Sequence, residues 1–300
     1  MSKIQDAIRK MQDSTPVTVD VAPSRPTEKH QSVGEIVDER DDTGSRVQPT
    51  GGGLVKINCE LLRTSGYLAP LDQEPILAEQ YRLLKRPLLD NASGRGAYMG
   101  DDANLIMVTS ALPGDGKTFN CINLALSMAI EKDVSVLLVD ADVAKPHISQ
   151  LFGVDEQPGL IELLKDTTLD VESVVLRTDI PGLRILPAGC HDEHATELLA
   201  SRRMEKVVAV LSQFYADRVV IFDSPPILAT SEARVLTTLM GQIALVVWAG
   251  HTPQHAVLEA IESLDDSKAI SLILNQSASG QGAGGYGSYK YGYEARQTGK

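Results

Sequence analysis

Aromatic residues are scarce in this chain: one Trp, four Phe and eight Tyr among 300 residues. Any core it forms is therefore aliphatic. Cysteine is almost lacking, and Cys59, Cys121 and Cys190 are widely spaced and odd in number. That excludes a disulfide framework and reads as reduced thiols. Basic residues are outnumbered, 28 Lys and Arg against 40 Asp and Glu, for a formal charge of −12. A general nucleic-acid binder needs clustered basic groups, so nucleic acid is not expected among the partners. No apolar run approaches the ~18 residues of a membrane span; the longest, VSVLLVD and IALVVWAG, have strand length. The opening MSKIQDAIRKMQ lacks the apolar centre of a signal peptide. Together these absences predict a soluble, cytoplasmic protein, for which any role at the inner face of the cell membrane must come through a partner.

Hydrophobic residues make up 43% of the chain, enough for one large α/β domain or two small ones. Residues 1–55 hold no Phe, Trp or Tyr and are rich in Pro, Ser, Thr, Asp and Gly. Such a stretch buries too little apolar surface to offset its ordering entropy, and it reads as mostly disordered. Ile4, Ala7, Ile8 and Met11 within it have helical spacing; they fit a short amphipathic docking helix or a frayed terminus equally. Residues 56–92 read as helical, with an apolar stripe through Ile76, Leu77, Leu83 and Leu84, and Pro87 should bend or end that helix. From residue 103, apolar runs at 104–111, 134–141, 183–189, 218–225, 242–250 and 269–276 alternate with amphipathic stretches. Continuous apolar strands imply burial on both faces, hence a doubly wound, mostly parallel α/β sheet with its ligand at the carboxyl ends of the strands. The organisation expected is a segment 1–55, a domain 56–278 including a helix at about 75–90, and a Gly/Tyr-rich tail 279–300.

One loop carries the chemistry. The run ALPGDGKT follows an apolar strand and precedes a helix, and it fits [AG]-x-x-x-x-G-K-[ST] from Ala111 to Thr118. Gly114 and Gly116 let the loop curl so that backbone N–H groups face phosphate oxygens. The helix start adds its positive dipole end, Lys117 reaches the β- and γ-phosphates of ATP, and the Thr118 hydroxyl meets Mg²⁺. Residues Pro113, Gly114, Asp115, Gly116, Lys117, Thr118 and Phe119 form the expected phosphate cradle. VLLVDAD puts Asp140 and Asp142 beyond the second strand, and VVIFDSPP puts Asp223 beyond a later one. Beside a phosphate loop, these carboxylates and Thr118 are natural Mg²⁺ ligands, direct or through water. CHDEH places Cys190, His191 and His194 together without a second pair at ligand spacing, so no metal site is expected there. Trp248 reads as core.

With SALPGDGKT, LLVDAD, VVIFDSPP and a C-terminal tyrosine cluster in one chain, residues 56–300 resemble the bacterial tyrosine kinases. AEQYRLLKRPLL and DADVAKP look closest to the autokinases encoded with exosortase and exopolysaccharide clusters. The Min/Par ATPases share the fold, but their early loop lysine is replaced here by Leu112. The resemblance implies autophosphorylation of Tyr286, Tyr289, Tyr291 and Tyr293 in trans. It assigns the proton-accepting role to Asp140, with Lys117 and Asp142 as its catalytic companions. It implies ring assembly through an E-x-x-R-x-x-R helix, met here by Glu79, Arg82 and Lys85, the last being Lys rather than Arg. An Arg common in the family is absent at Ala144, with Lys145 beside it. It further implies a membrane activator of the chain-length-determinant (Wzz-like) type, a cognate tyrosine phosphatase and control of exopolysaccharide production. Asn275, at the end of the last strand, is an adenine contact by fold analogy. The glycines of the tail keep its tyrosines accessible to a neighbouring subunit. A Min/Par-like ATPase, or a nucleotide-gated scaffold using the tail for docking, stays open as an alternative.

Overall fold

The six apolar runs lie side by side as strands. The computed structural model describes residues 34–37, 53–69, 75–98, 100, 102–214, 218–265 and 267–277. The stretch proposed as an N-terminal docking helix and the tyrosine tail lie outside them. The predicted strands are β3 (Leu105–Ser110), β4 (Ser135–Asp140), β6 (Leu183–Leu186), β7 (Arg218–Asp223), β8 (Gln242–Trp248) and β9 (Ala269–Asn275). All six run parallel, in the order β6-β4-β7-β3-β8-β9. Three further strands extend one edge: β1 (Gly34–Val37), β2 (Leu54–Ile57) and β5 (Leu176–Thr178). β5 is antiparallel to β6, β2 is parallel to β5, and β1 is antiparallel to β2. β1 falls inside the stretch read as mostly disordered, where Ile36 pairs with Val55.

Burial on both faces follows from composition. Every residue of β3 is buried, as are the last five of β4 and of β7. One core layer packs Val108, Leu138 and Ile221 against the helix after the phosphate loop, and the other packs Met107, Val139 and Phe222 against helices of the opposite face. Phe152 and Phe222 are the only aromatic rings among the largest fully buried side chains of the described residues, so the core is aliphatic as expected. The helices are α1 (Cys59–Thr64), α2 (Pro75–Ala92), α3 (Lys117–Ala129), α4 (His147–Leu151), α5 (Leu160–Lys165), α6 (Val171–Val174), α7 (Ala195–Leu199), α8 (Arg202–Phe214), α9 (Ser231–Leu239) and α10 (Gln254–Glu262). Among the described residues, no helix is long and apolar enough to cross a membrane.

Helix α2 meets its expectation only in part. It does not end at Pro87 but continues to Ala92. Pro87 and Leu83 are both exposed, so the carbonyl left without a donor lies on the solvent side of the helix, open to water. The apolar stripe is also displaced. Ile76 and Leu83 are 74% and 69% exposed, while Tyr81, Lys85 and Leu88 are buried. The inner face is thus Leu77, Tyr81, Leu84, Lys85 and Leu88, at helical spacing, packed on α3.

Candidate nucleotide site

β3 lies between β7 and β8, so the chain builds outward from it first to one side and then to the other. That reversal opens a crevice at the carboxyl ends of the strands, and the loop 111–116 fills it. Gly114 and Gly116 have φ of 92° and 93°, a left-handed conformation that side chains disfavour. A Cβ on Gly116 would also meet Asn275 Nδ2 at 2.1 Å. The Ser110 hydroxyl donates to the Leu112 carbonyl at 2.7 Å, fixing the start of the loop.

The three predicted carboxylates converge here. Asp140 and Asp223 end neighbouring strands and are register partners. Lys117 Nζ lies 2.8 Å from Asp142 Oδ2, and the Thr118 hydroxyl donates to Asp223 Oδ2 at 2.7 Å. Asp140 Oδ2 accepts from both the N–H and the hydroxyl of Ser149, at 2.8 and 2.7 Å. The other oxygen of each buried acid, Asp140 Oδ1 and Asp223 Oδ1, has no hydrogen-bond partner. Burial, reinforced by the charge of Asp223, pushes the Asp140 carboxyl up to about 8 despite the Ser149 bonds. Burial pushes Asp223 up to about 7, opposed by Lys117 and the Thr118 hydroxyl. For Lys117 burial works against the charge, but the carboxylates of Asp223, Asp142 and Asp140 outweigh it and hold the ammonium above its ordinary range.

Two orphaned, buried carboxylate oxygens beside a threonine hydroxyl suit a hydrated Mg²⁺. Among the described residues no three or more His, Cys, Asp or Glu are grouped to hold a metal alone.

The raised acids have a consequence for stability. In the nucleotide-free protein, Asp140 and Asp223 bind protons that the unfolded chain has already lost above the ordinary value of 3.8. Their contribution is therefore full below about pH 4 and is lost as pH rises towards about 8. Urea midpoints should fall between pH 5 and pH 8, and Asp140→Asn should flatten that fall. A parent and variant with identical slopes would contradict the assignment.

Asp115 is 2% exposed and braces the loop. Its Oδ2 accepts from Leu112 N at 3.2 Å, and its Oδ1 accepts from the Thr252 hydroxyl at 2.7 Å. Thr252 Oγ1 in turn accepts from Trp248 N at 2.9 Å. Asn275 Nδ2 donates to the Asp115 carbonyl at 2.8 Å, so its amide is engaged with the loop. Trp248 is half-buried and stacks on His251, with centroids 4.2 Å apart, instead of entering the core. Thr252→Val should leave Asp115 half-held and the loop to be ordered by nucleotide. We expect KM for ATP to rise about tenfold, the worth of a hydrogen bond to a charged group, with kcat nearly unchanged. Thr252→Ser should behave like the parent in the same steady-state assay.

The helix-face prediction is met only in part. Glu79 and Arg82 are exposed and ion-paired with each other. Lys85 points inward: Nζ donates to the Ser127 carbonyl at 2.5 Å and pairs with Glu131 at 2.8 Å. Its long stem reaches across α3, and the exposed basic neighbour of Arg82 is Arg86, four residues on. On the same helix the Tyr81 hydroxyl donates to Asn120 Oδ1 at 2.9 Å, and Asn120 Nδ2 donates to the Gly116 carbonyl at 3.0 Å, joining α2 to the phosphate loop. Phe119, at the end of the expected cradle, packs against Tyr67 at 5.2 Å between centroids. Ser149 and Thr252 were not singled out in the sequence. Each acts 9 and 137 positions from the acid it braces, and nothing local marks either.

Comparison with known proteins gives a consistent picture. Residues 103–249 match the profile of an AAA domain. The tyrosine-protein kinase YwqD of Bacillus subtilis is 31% identical over 69% of this chain and 84% of its own length. The EpsB protein of Ralstonia solanacearum is 32% identical over 64% of this chain, and the chain spans 24% of that protein's length. Among solved structures, the kinase domain of VpsO aligns with a TM-score of 0.57 at 32% identity, covering 67% of this chain and 97% of that one.

Proposed function

The chain belongs to the bacterial tyrosine kinases, and on that premise we propose that it transfers the γ-phosphoryl group of ATP to the tyrosines of its own tail, one subunit acting on another. The observation that carries this reading is the convergence of Lys117, Thr118, Asp140, Asp142 and Asp223 at one crevice, in a chain that also carries Tyr286, Tyr289, Tyr291 and Tyr293 within eight residues.

On this reading the cradle 113–119 binds the phosphates through backbone N–H groups, and Lys117 exchanges Asp142 for the β- and γ-phosphates. Thr118, Asp142 and Asp223 are the side chains that would hold Mg²⁺ and its waters, with Asp140 beside them, and the ion supplies charge neutralisation on the phosphates. Tyrosine, with an ordinary pKa of about 10, needs its proton removed as transfer proceeds. Asp140 takes that proton through the oxygen that Ser149 leaves unbonded.

Ring assembly uses the outer face of α2, with Ile76 and Leu83 as its apolar contacts and Glu79, Arg82 and Arg86 as its polar ones. Lys85 supports that face from inside. By resemblance, the protein works in exopolysaccharide production at the membrane with a chain-length-determinant (Wzz-like) activator, and a tyrosine phosphatase resets it. Residues 56–278 are the kinase unit and 279–300 its substrate segment.

Subunit mixing tests the trans step. A Lys117→Met chain with an intact tail is combined with a parent chain truncated before Tyr286, and phosphotyrosine is read on the intact tail. Phosphate there supports transfer between subunits. A tail modified in the parent alone, never in the mixture, contradicts it.

A further inference from the structure

A cavity of about 1180 Å³ opens at the end of the sheet away from the nucleotide site. It lies where β4 and β7 begin, at Val134 and Arg218, whereas Asp140 and Asp223 end those same strands, about 20 Å away. Its charge is opposite to that of the protein. Arg82, Lys85, Arg86, Arg95, Lys132 and Arg218 line it, against Asp90, Glu131 and Asp133, in a chain of net charge −12. Asp90 is shared between Arg86 at 4.0 Å and Arg95 at 3.9 Å, so it neutralises at most one of them. Lys132 is exposed. The floor is apolar: Leu89 and Ile130 line it, and Ile130 is 58% exposed. The cavity exceeds the usual range of small-ligand clefts, up to about 1,000 Å³, and suits a stretch of chain.

We infer that this groove receives the phosphorylated tail of the same protein, its own or that of a neighbouring copy. This rests on the autokinase reading for the source of the phosphates. The chemistry matches in two respects. Arginine and lysine hold phosphate oxygens by charge-assisted hydrogen bonds, and the apolar floor takes tyrosine rings. Unmodified, the tail carries Lys290, Arg296 and Lys300 against Glu294, and a basic groove repels it. Each phosphate adds about −1.5 to −2 charges and reverses that sign, so modification itself is the switch. The reach is sufficient. Tyr293 follows Ser277 by 16 residues, about 53 Å when extended. The path from the end of β9 to the groove spans roughly 23 Å along the strands and 14 Å across three of them. Occupancy withdraws Arg82 and Arg86 from the face proposed for self-association. Tail phosphorylation then opens the assembly by competition as well as by repulsion.

The test uses the full chain, stripped of phosphate by a phosphatase that is then removed, without ATP. Its probe is a fluorescent synthetic peptide of residues 279–300 phosphorylated on the four tyrosines, followed by anisotropy. The phosphopeptide should bind, the unmodified peptide should not, and binding should weaken with salt. Arg95→Glu and Lys132→Glu, at exposed positions outside both the nucleotide site and the self-association face, should each weaken it at least tenfold. Arg95→Gln and Lys132→Gln should show the same direction in case a reversed charge unfolds the protein. Absence of binding overturns the inference, as does binding that ignores all four variants, or equal binding by inorganic polyphosphate, which would mark an unselective polyanion groove. Because the peptide brings its own phosphates, a protein without kinase activity can still pass this test. An active kinase that fails it loses only the docking site.

Discussion

Replacing Lys117 by Met should lower tyrosine phosphorylation about 10³-fold, the usual cost of removing a group aimed at charge developing in the transition state. The side chain is placed for two tasks. Without nucleotide it neutralises Asp142 at 2.8 Å and lies among three carboxylates. With nucleotide it is free to swing to the phosphates. Met fills the space but leaves Asp142 buried without its cation, and breaking a buried pair is costly. The nucleotide-free variant should therefore lose about 3 kcal/mol at pH 7, less at pH 5 as the acids protonate. Lys117→Arg separates the tasks: charge is retained, so stability should recover. The planar guanidinium cannot occupy the ammonium's place in the cradle, so activity should stay low. Rates come from single-turnover transfer of labelled phosphate, stabilities from urea unfolding. An Arg variant that restores both would reduce Lys117 to a generic charge.

Asp140→Asn should separate activity from stability in the opposite sense. Asparagine keeps an oxygen for the Ser149 N–H and hydroxyl but cannot accept the tyrosine proton. Transfer should fall by about 10²- to 10⁴-fold, the span of general-base contributions. The folded protein should become more stable above pH 5, because the variant removes a fully buried acid whose ionised form is opposed by burial and by Asp223. A variant that is stabilised yet fully active would leave Asp140 a structural acid. In that case Asp142 becomes the candidate base.

Much of this architecture was legible in the sequence, for a physical reason. Strands buried on both faces need continuous apolar runs, and 104–111 or 218–225 cannot be read otherwise. The short edge strands carry no such mark. Leu176–Thr178 is only 3 residues long, and Gly34–Val37 lies in a stretch with too little apolar content to stand out. The phosphate loop was legible because its chemistry is local: glycines, lysine and threonine act within eight positions. Lys85 was misplaced because spacing along a helix does not say which way it faces. The buried Tyr81 and Leu88 turn Lys85 inward to Ser127 and Glu131, and Arg86 takes the outer position. The amide of Asn275 reaches back to the Asp115 carbonyl, a contact between distant positions that the sequence does not mark. The Thr252 brace on Asp115 joins the segments that follow the neighbouring strands β8 and β3, 137 positions apart, which no local pattern encodes.

The central claim is that a phosphate site and a tyrosine cluster in one chain make an autokinase. The most direct measurement incubates purified parent protein with ATP and Mg²⁺ and locates phosphate by mass spectrometry. The account predicts phosphotyrosine among Tyr286, Tyr289, Tyr291 and Tyr293, absent from Lys117→Met. ATP hydrolysis with every tail tyrosine unmodified, even with the cytoplasmic segment of a proposed chain-length-determinant activator present, would contradict it and favour a nucleotide-gated scaffold.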